Sequence, residues 1–324
     1  MNRDSKRLPF FDFGRMHERL LITGGTGFIG HMLCEALLRH GHELTLLVRN
    51  PLKASQQFQN RVHCVTKLDE LAPGTEIDVV VNLAGERVLG PRWSAERRRT
   101  LVSSRVGTTQ SLVTWIAAAK HKPRLMISGS AIGFYGVQAT NDSRVLDENA
   151  GPQSDFLSQL CRQWEETARA VTFEGVPLAL LRLGLVLGHE GALPRMRLPF
   201  MLGLGGRIGS GRQVMSWVHI EDVVGVIAFL IAHAEPRQIS GTYNVTAPHA
   251  VTQSEFARTL AAELHRPAFT RLPAALLRLV LGAQAVVLLE GQRVYPMRLE
   301  QLGYKFRFAR LDSALRDLLH AGAN

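Results

Sequence analysis

The sequence predicts an α/β fold of the doubly wound kind, a parallel sheet covered by helices on both faces. Three observations predict it. Short apolar runs recur at 20–23, 43–48, 78–83, 125–128 and 178–183. Stretches with helical apolar spacing lie among them, so strands alternate with helices. The first run ends in a glycine-rich turn.

Taken in order, residues 20–23 are apolar and run into glycines, as a buried parallel strand does. Ile29, Leu33, Ala36 and Leu37 have helical spacing over 28–40, and Gly41 stops that helix. Residues 43–48 read as the second strand, 78–83 as the third and 99–119 as a long helix. A fourth strand is expected at 125–128, a helix at 154–173 and another strand at 178–183. Residues 189–216 are rich in glycine and proline and read as a loop-rich insertion over the site. Strand and helix return at 217–232, and 241–245 is one more strand. The chain is helical from Thr252, with a small module near 272–322. The expected organisation is therefore an N-terminal extension at 1–15, a nucleotide-binding domain at 16–250 and a C-terminal helical, substrate-side module at 251–324.

Composition narrows the class. Of 324 residues, 46% are apolar and 20% charged, ordinary for a globular enzyme with a full core. Three cysteines, Cys34, Cys64 and Cys161, show no metal-ligand or redox spacing, so no metal site and a reducing, cytoplasmic setting are expected. The net charge is +10, and 32 of the 38 basic residues are arginine. They are scattered with few aromatics between them, which speaks against a nucleic-acid partner. The densest group, Arg92 with Arg97, Arg98 and Arg99, is expected on a solvated helix face. Residues 1–15 lack the apolar core of a secretory signal. The longest apolar stretch, 272–289, contains Pro273, Arg278, Gly282 and Gln284, so a buried or amphipathic helix is expected there rather than a membrane span.

The turn after the first strand reads Thr23-Gly24-Gly25-Thr26-Gly27-Phe28-Ile29-Gly30. Glycines at 24, 27 and 30 suit a Rossmann dinucleotide turn. Gly24 allows a sharp turn, Gly27 lets a pyrophosphate approach the backbone, and Gly30 lets the helix pack closely on the strand. The helix start at Thr26–Ile29 would then present N–H groups and a positive dipole end to phosphate. The second strand ends in Val48-Arg49-Asn50, without the acid that usually takes the ribose hydroxyls of NAD. Arg49 could pair with a 2′-phosphate, which favours NADP over NAD. An ordinary exposed arginine is the other reading.

TGGTGFIG, with NLAG at 82–85 and SGSAIGFYG at 128–136, resembles the extended short-chain dehydrogenase/reductase superfamily. The likeness is nearer to its epimerase-family branch, the nucleoside-diphosphate-sugar-epimerase-like proteins. Further marks are Arg92-Trp93, Arg105 in SRVGT, Cys161 to Glu165 in CRQWE, RLGLVLG at 182–188, GSGRQVMSWVHIEDVV at 209–224, YNVTAP at 243–248 and EGQRVYPMRLEQLGY at 290–304. The resemblance implies that Leu83, Ala84 and Gly85 line the adenosine side of the cofactor. It places Arg105 where relatives often carry a cofactor-contacting Asn, with Thr100 as a further candidate on the same helix. Gly184, Leu185 and Val186 would approach the nicotinamide. His219 and Asp222 would either shape a substrate pocket or serve as a helix cap and a strand-end hydrogen bond.

The superfamily's Y-x-x-x-K pair is absent. The residues four beyond Tyr135, Tyr243, Tyr295 and Tyr304 are Ala139, Ala247, Leu299 and Phe308. Alignment on Glu165 puts Leu157 and Cys161 in the tyrosine and lysine places. Ser130 keeps the position that bonds the reacting oxygen in relatives. Tyr135 is a proton-donor candidate on chemistry, or a packing residue. The expected function is an NADP-dependent oxidoreductase or epimerase acting on a small hydroxy, keto or nucleotide-sugar compound, with neither nucleic acid nor membrane as partner. The alternative is a catalytically silent NADP(H) sensor. The helices at 99–119 and 154–173 are those through which relatives often dimerise, so a homodimer is open.

Overall fold

A computed structural model describes residues 9–72, 74–139, 141–233 and 239–320. The first half alternates regularly. β1 (Arg19–Thr23) leads through α1 (Phe28–Arg39) to β2 (Glu43–Leu47), then through α2 (Pro51–Gln57) to β3 (His63–Val65). The chain returns beside β1 as β4 (Val79–Asn82). A long helix follows in two pieces, α3 (Ala95–Val102) and α4 (Thr108–Ala118), joined by a π-helical turn at Ser103–Gly107. Then come β5 (Leu125–Ala131), α5 (Phe156–Arg169) and β6 (Leu178–Leu183).

The second half is less regular. It runs β7 (Leu185–Leu187), α6 (Leu193–Met201), β8 (Gly206–Ile208), β9 (Val214–Met215), β10 (Trp217–His219), α7 (Ile220–Ala232) and β11 (Gly241–Val245). It ends with β12 (Val251–Thr252), α8 (Gln253–Glu263), β13 (Thr270–Leu272), α9 (Ala274–Leu281), α10 (Val286–Leu289), α11 (Met297–Gln301) and α12 (Leu311–His320).

Seven strands form one parallel sheet in the order β3-β2-β1-β4-β5-β6-β11. The direction of winding reverses between β1 and β4, which opens a crevice beyond their carboxyl ends. Alternate residues of each strand face opposite layers. Leu20, Ile22, Val79, Val81 and Ile127 pack with residues of α1 and α7. Leu21, Val80 and Met126 pack with Leu112 and Ile116 of α4. Leu20, Leu21 and Ile22 are fully buried, each contributing roughly 1.5–3 kcal/mol relative to an exposed side chain. A third cluster joins Leu187 and Trp217 to α6, α8 and α12.

The fold class is the expected one, and the differences are local. β3 is only three residues with an exposed His63, too short for a periodic signal, so 78–83 is the fourth strand and not the third. The helix expected at 99–119 starts at Ala95, because Ser94 caps it by accepting from the Arg97 N–H, and it is broken by the π-helical turn. Within 189–216 lies the helix α6, which keeps Pro194 in its first turn and Pro199 inside it. Residues 272–289 are not one helix: Gly282, at φ +59°, ends α9, and a 3-10 turn precedes α10. Phe13, within the stretch expected as an extension, is fully buried against His40 and His42. No helix among the described residues is long and apolar enough to cross a membrane.

Candidate functional site

At the crevice, Gly24 has φ +71°, and a Cβ there would lie 2.6 Å from the carbonyl of Leu83. A Cβ on Gly30 would lie 2.2 Å from the Gly24 oxygen, so only glycine lets α1 approach the turn this closely. The Gly27 N–H closes the turn on Gly24 O at 2.9 Å. Thr26 and Gly27 are exposed, and Phe28 and Ile29 are half-buried. The cap of α1 carries no side-chain hydrogen bond, and its first turn holds no acidic residue. Its free N–H groups and dipole therefore favour an anion.

Leu83, Ala84 and Gly85 continue from β4 along this turn. Leu83 N–H bonds Thr23 O at 3.1 Å, and Ala84 N–H bonds the Thr23 hydroxyl at 3.1 Å. Beyond β2, Val48 is half-buried and its N–H bonds Val65 O at 2.9 Å. The Arg49 side chain is 95% exposed and lies 3.3 Å from Glu86. Asn50 caps α2, accepting from the Lys53 N–H at 3.0 Å. Arg105 packs against Gly85, lies over the Trp164 ring and donates to the carbonyls of Leu101 and Glu86. Burial lowers its pKa. Thr100 is exposed, its hydroxyl bonded to Glu96 O at 3.1 Å. Gly184 leads from β6 into β7, where Leu185 and Val186 pair with Trp217 and Val218 of β10. A Cβ on Gly184 would lie 2.7 Å from Ser216 O.

The other half of the crevice is built from side chains. Ser130, Arg182 and Asn244 stand in one register row across β5, β6 and β11. The Ser130 hydroxyl donates to Glu165 at 2.7 Å. Arg182 grips both oxygens of Glu165, at 2.8 and 2.9 Å, and donates to the Tyr135 hydroxyl at 2.9 Å. Tyr135 in turn donates to Asn244 Oδ1 at 2.7 Å. The guanidinium lies 3.4 Å from the ring centre of Phe134. All five polar side chains are buried. Burial pushes the Tyr135 phenol up to about 12, against the pull of Arg182. Removal of an ion pair from water is costly, and bidentate geometry with saturated neighbours is what offsets it.

Leu157 and Cys161 both reach the backbone at Gly133, where a Cβ would meet Leu157 Cβ at 3.5 Å and Cys161 Sγ at 3.7 Å. Burial pushes the Cys161 thiol up to about 12, so it stays protonated at neutral pH. A second polar row, Thr23, Asn82 and Ser128, crosses β1, β4 and β5. Asn82 accepts from Thr23 at 2.7 Å and donates to Thr109 and Ser128, while Trp164 Nε1 donates to Thr109 at 2.9 Å. These partners had no assigned role from sequence. Their signal was a polar residue ending or interrupting an apolar strand, as in VVVN and LALLRL.

His219 and Asp222 are internal ties. His219 Nδ1 accepts from the Glu221 N–H at 3.1 Å as the cap of α7, and its ring stacks on Phe308. Asp222 accepts from the N–H groups of Arg307 and Phe308 at 2.7 and 3.0 Å. The arginine group at 92–99 is only partly a solvated face. Arg92 precedes α3 and donates to the carbonyls of Leu279 and Val280, while Arg97 is drawn to Arg87 O and Glu86. Gln284 holds the same loop by donating to Pro91 O and accepting from the Gly90 N–H. Among the described residues, no three His, Cys, Asp or Glu side chains are grouped to hold a metal.

Comparison with known proteins matches residues 20–246 to the NAD dependent epimerase/dehydratase family and residues 272–318 to a domain of unknown function (DUF1731). The chain is 39% identical to the bovine epimerase family protein SDR39U1, with 93% of this chain and 99% of that protein covered. It is 35% identical to the epimerase family protein YfhF of Bacillus subtilis, over 93% and 97%. The crystal structure of human epimerase family protein SDR39U1 (isoform2) with NADPH superposes with a TM-score of 0.82 at 37% identity, covering 93% of this chain and 98% of that one.

Proposed function

As the chain belongs to the NAD dependent epimerase/dehydratase family, we propose that it binds NADP(H) and acts as an oxidoreductase or epimerase. Its substrate would be a small hydroxy or keto compound or a nucleotide sugar, in the cytoplasm. The observation that carries this reading is the cradle at Gly24–Gly30, which a Cβ would fill, joined to an exposed Arg49 with no acid at the end of β2. These residues fit a phosphorylated dinucleotide. The first turn of α1 would hold the pyrophosphate, Arg49 the 2′-phosphate, and Leu83, Ala84 and Gly85 the adenosine side. Arg105 and Thr100 would stand on the cofactor's flank, and Gly184, Leu185 and Val186 beside the nicotinamide. When bound, the cofactor supplies hydride chemistry.

Ser130 and Tyr135 are the hydroxyls proposed to meet the reacting oxygen. Their protons are held by Glu165 and Asn244. To act as a general acid, either hydroxyl must exchange that acceptor for the substrate oxygen. The same fact supports a second reading, a silent NADP(H) sensor, because both candidate hydroxyls are already engaged and the sequence lacks the Y-x-x-x-K pair.

The purified protein should bind NADPH more tightly than NADH, measured by cofactor fluorescence. Arg49→Glu should weaken NADPH roughly tenfold or more while changing NADH little. Equal losses for both would sink the 2′-phosphate assignment. Cofactor turnover on a panel of carbonyl compounds and nucleotide sugars that vanishes in Ser130→Ala supports the enzyme. Tight NADPH binding without turnover on any compound supports the sensor.

A further inference from the structure

Fifteen large hydrophobic side chains are exposed among the described residues, and nine of them lie in two short segments. The first holds Leu198, Met201, Leu202 and Leu204, at and just after the end of α6. The second holds Phe269 and Leu272 about β13, and Leu276, Leu279 and Val280 on α9. The two segments form one surface. β8 pairs with β13, the Thr270 hydroxyl bonds Leu204 O at 2.8 Å, and Gly209 N–H bonds Leu272 O at 2.9 Å. Helix α9 buries Leu277 and packs Leu281 inward, and turns Leu276, Leu279 and Val280 to solvent. An eight-residue helix apolar on both faces has one face left to cover.

The charge within these two segments has one sign, while Glu290, outside them, lines a pocket with Arg278. Arg195, Arg197, Arg266, Arg271 and Arg278 are all exposed. No aspartate or glutamate occurs between residues 190 and 221, or between 263 and 290. Protruding leucines set among unpaired-sign arginines match the two demands of an anionic interface, apolar insertion and electrostatic attraction. Two copies of this chain meeting here would bring the arginines of these segments against one another, with no carboxylate from either segment between them. A nucleic acid would leave the leucines in water, since Phe269 is the one aromatic among the nine.

We propose that this face of α6, β13 and α9 adsorbs onto the headgroup layer of an anionic phospholipid membrane. The association is peripheral and requires no membrane-spanning helix. It is independent of the cofactor reading.

The test is co-sedimentation of the full chain with vesicles. Vesicles of phosphatidylcholine carrying about 30% phosphatidylserine should retain the protein roughly tenfold better than phosphatidylcholine alone, and raised salt should remove the difference. The double variant Arg271→Glu, Arg278→Glu should abolish retention. Leu279→Ser with Val280→Ser should reduce it about fivefold. An unchanged melting temperature checks that the variants fold. Equal retention on both vesicles, none on either, or indifference to both double variants overturns the proposal. Capture by polyglutamate without capture by vesicles overturns it in favour of an acidic protein partner. A solution dimer dissolved by the Leu279 and Val280 changes overturns it in favour of a second copy.

Discussion

The crevice has two walls of opposite construction. Around Gly24–Gly30 it is built from backbone. The groups facing it are N–H donors, glycines stand where a Cβ would collide, and Arg49 reaches into solvent. Around Ser130 it is built from buried side chains that satisfy one another, with Glu165 and Arg182 at the centre. A backbone wall can accept a ligand without rearrangement. A saturated side-chain wall must give up one of its own bonds first. The difference teaches that binding and chemistry need not be prepared to the same degree on one fold.

The largest effect should come from the side-chain wall. Glu165→Ala leaves the Arg182 charge buried and unpaired, and should cost about 3–5 kcal/mol in urea unfolding. A loss under about 1 kcal/mol would show that water reaches Arg182 and would break the contrast. The backbone wall should respond more mildly in stability and more sharply in binding. Gly30→Ala forces its new Cβ away from the Gly24 oxygen, 2.2 Å distant. It should cost about 1–3 kcal/mol and weaken NADPH in a fluorescence titration, and unchanged affinity would argue against a cofactor at this turn. The smallest effect is expected at Asn50, which serves as a cap. Asn50→Ala should lower stability by about 1 kcal/mol with NADPH affinity kept. A lost affinity with unchanged melting would move Asn50 into the cofactor contact itself.

The same contrast explains what was legible in the sequence. The glycine turn is local, because eight consecutive residues and the strand before them define it. β1, β2 and β6 were legible for a similar reason, each being a short, mostly apolar run. The side-chain wall is assembled from afar: Ser130 meets Glu165 across 35 positions and Tyr135 meets Asn244 across 109. No spacing rule joins such residues: the parallel register of β5, β6 and β11 aligns Ser130, Arg182 and Asn244, and α5 and the turn after β5 bring Glu165 and Tyr135 to them. The break at Ser103–Gly107 was likewise illegible, since SSRVG has no helix-breaking proline. His219 and Asp222 left two readings open because a cap and a pocket residue use the same polar types. The choice rests on backbone partners that lie 85 and 86 positions away for Asp222.

Arg92 ties these regions into one mechanical chain. Its guanidinium holds the last carbonyls of α9, 187 and 188 positions away, from a loop that begins immediately after Leu83–Gly85. A shift of α9 would therefore break these bonds or pull on the loop that follows Gly85. Any work transmitted along this link is reciprocal. If occupancy at the outer face of α9 alters dinucleotide affinity by some factor, dinucleotide must alter that occupancy by the same factor, whichever arrives first.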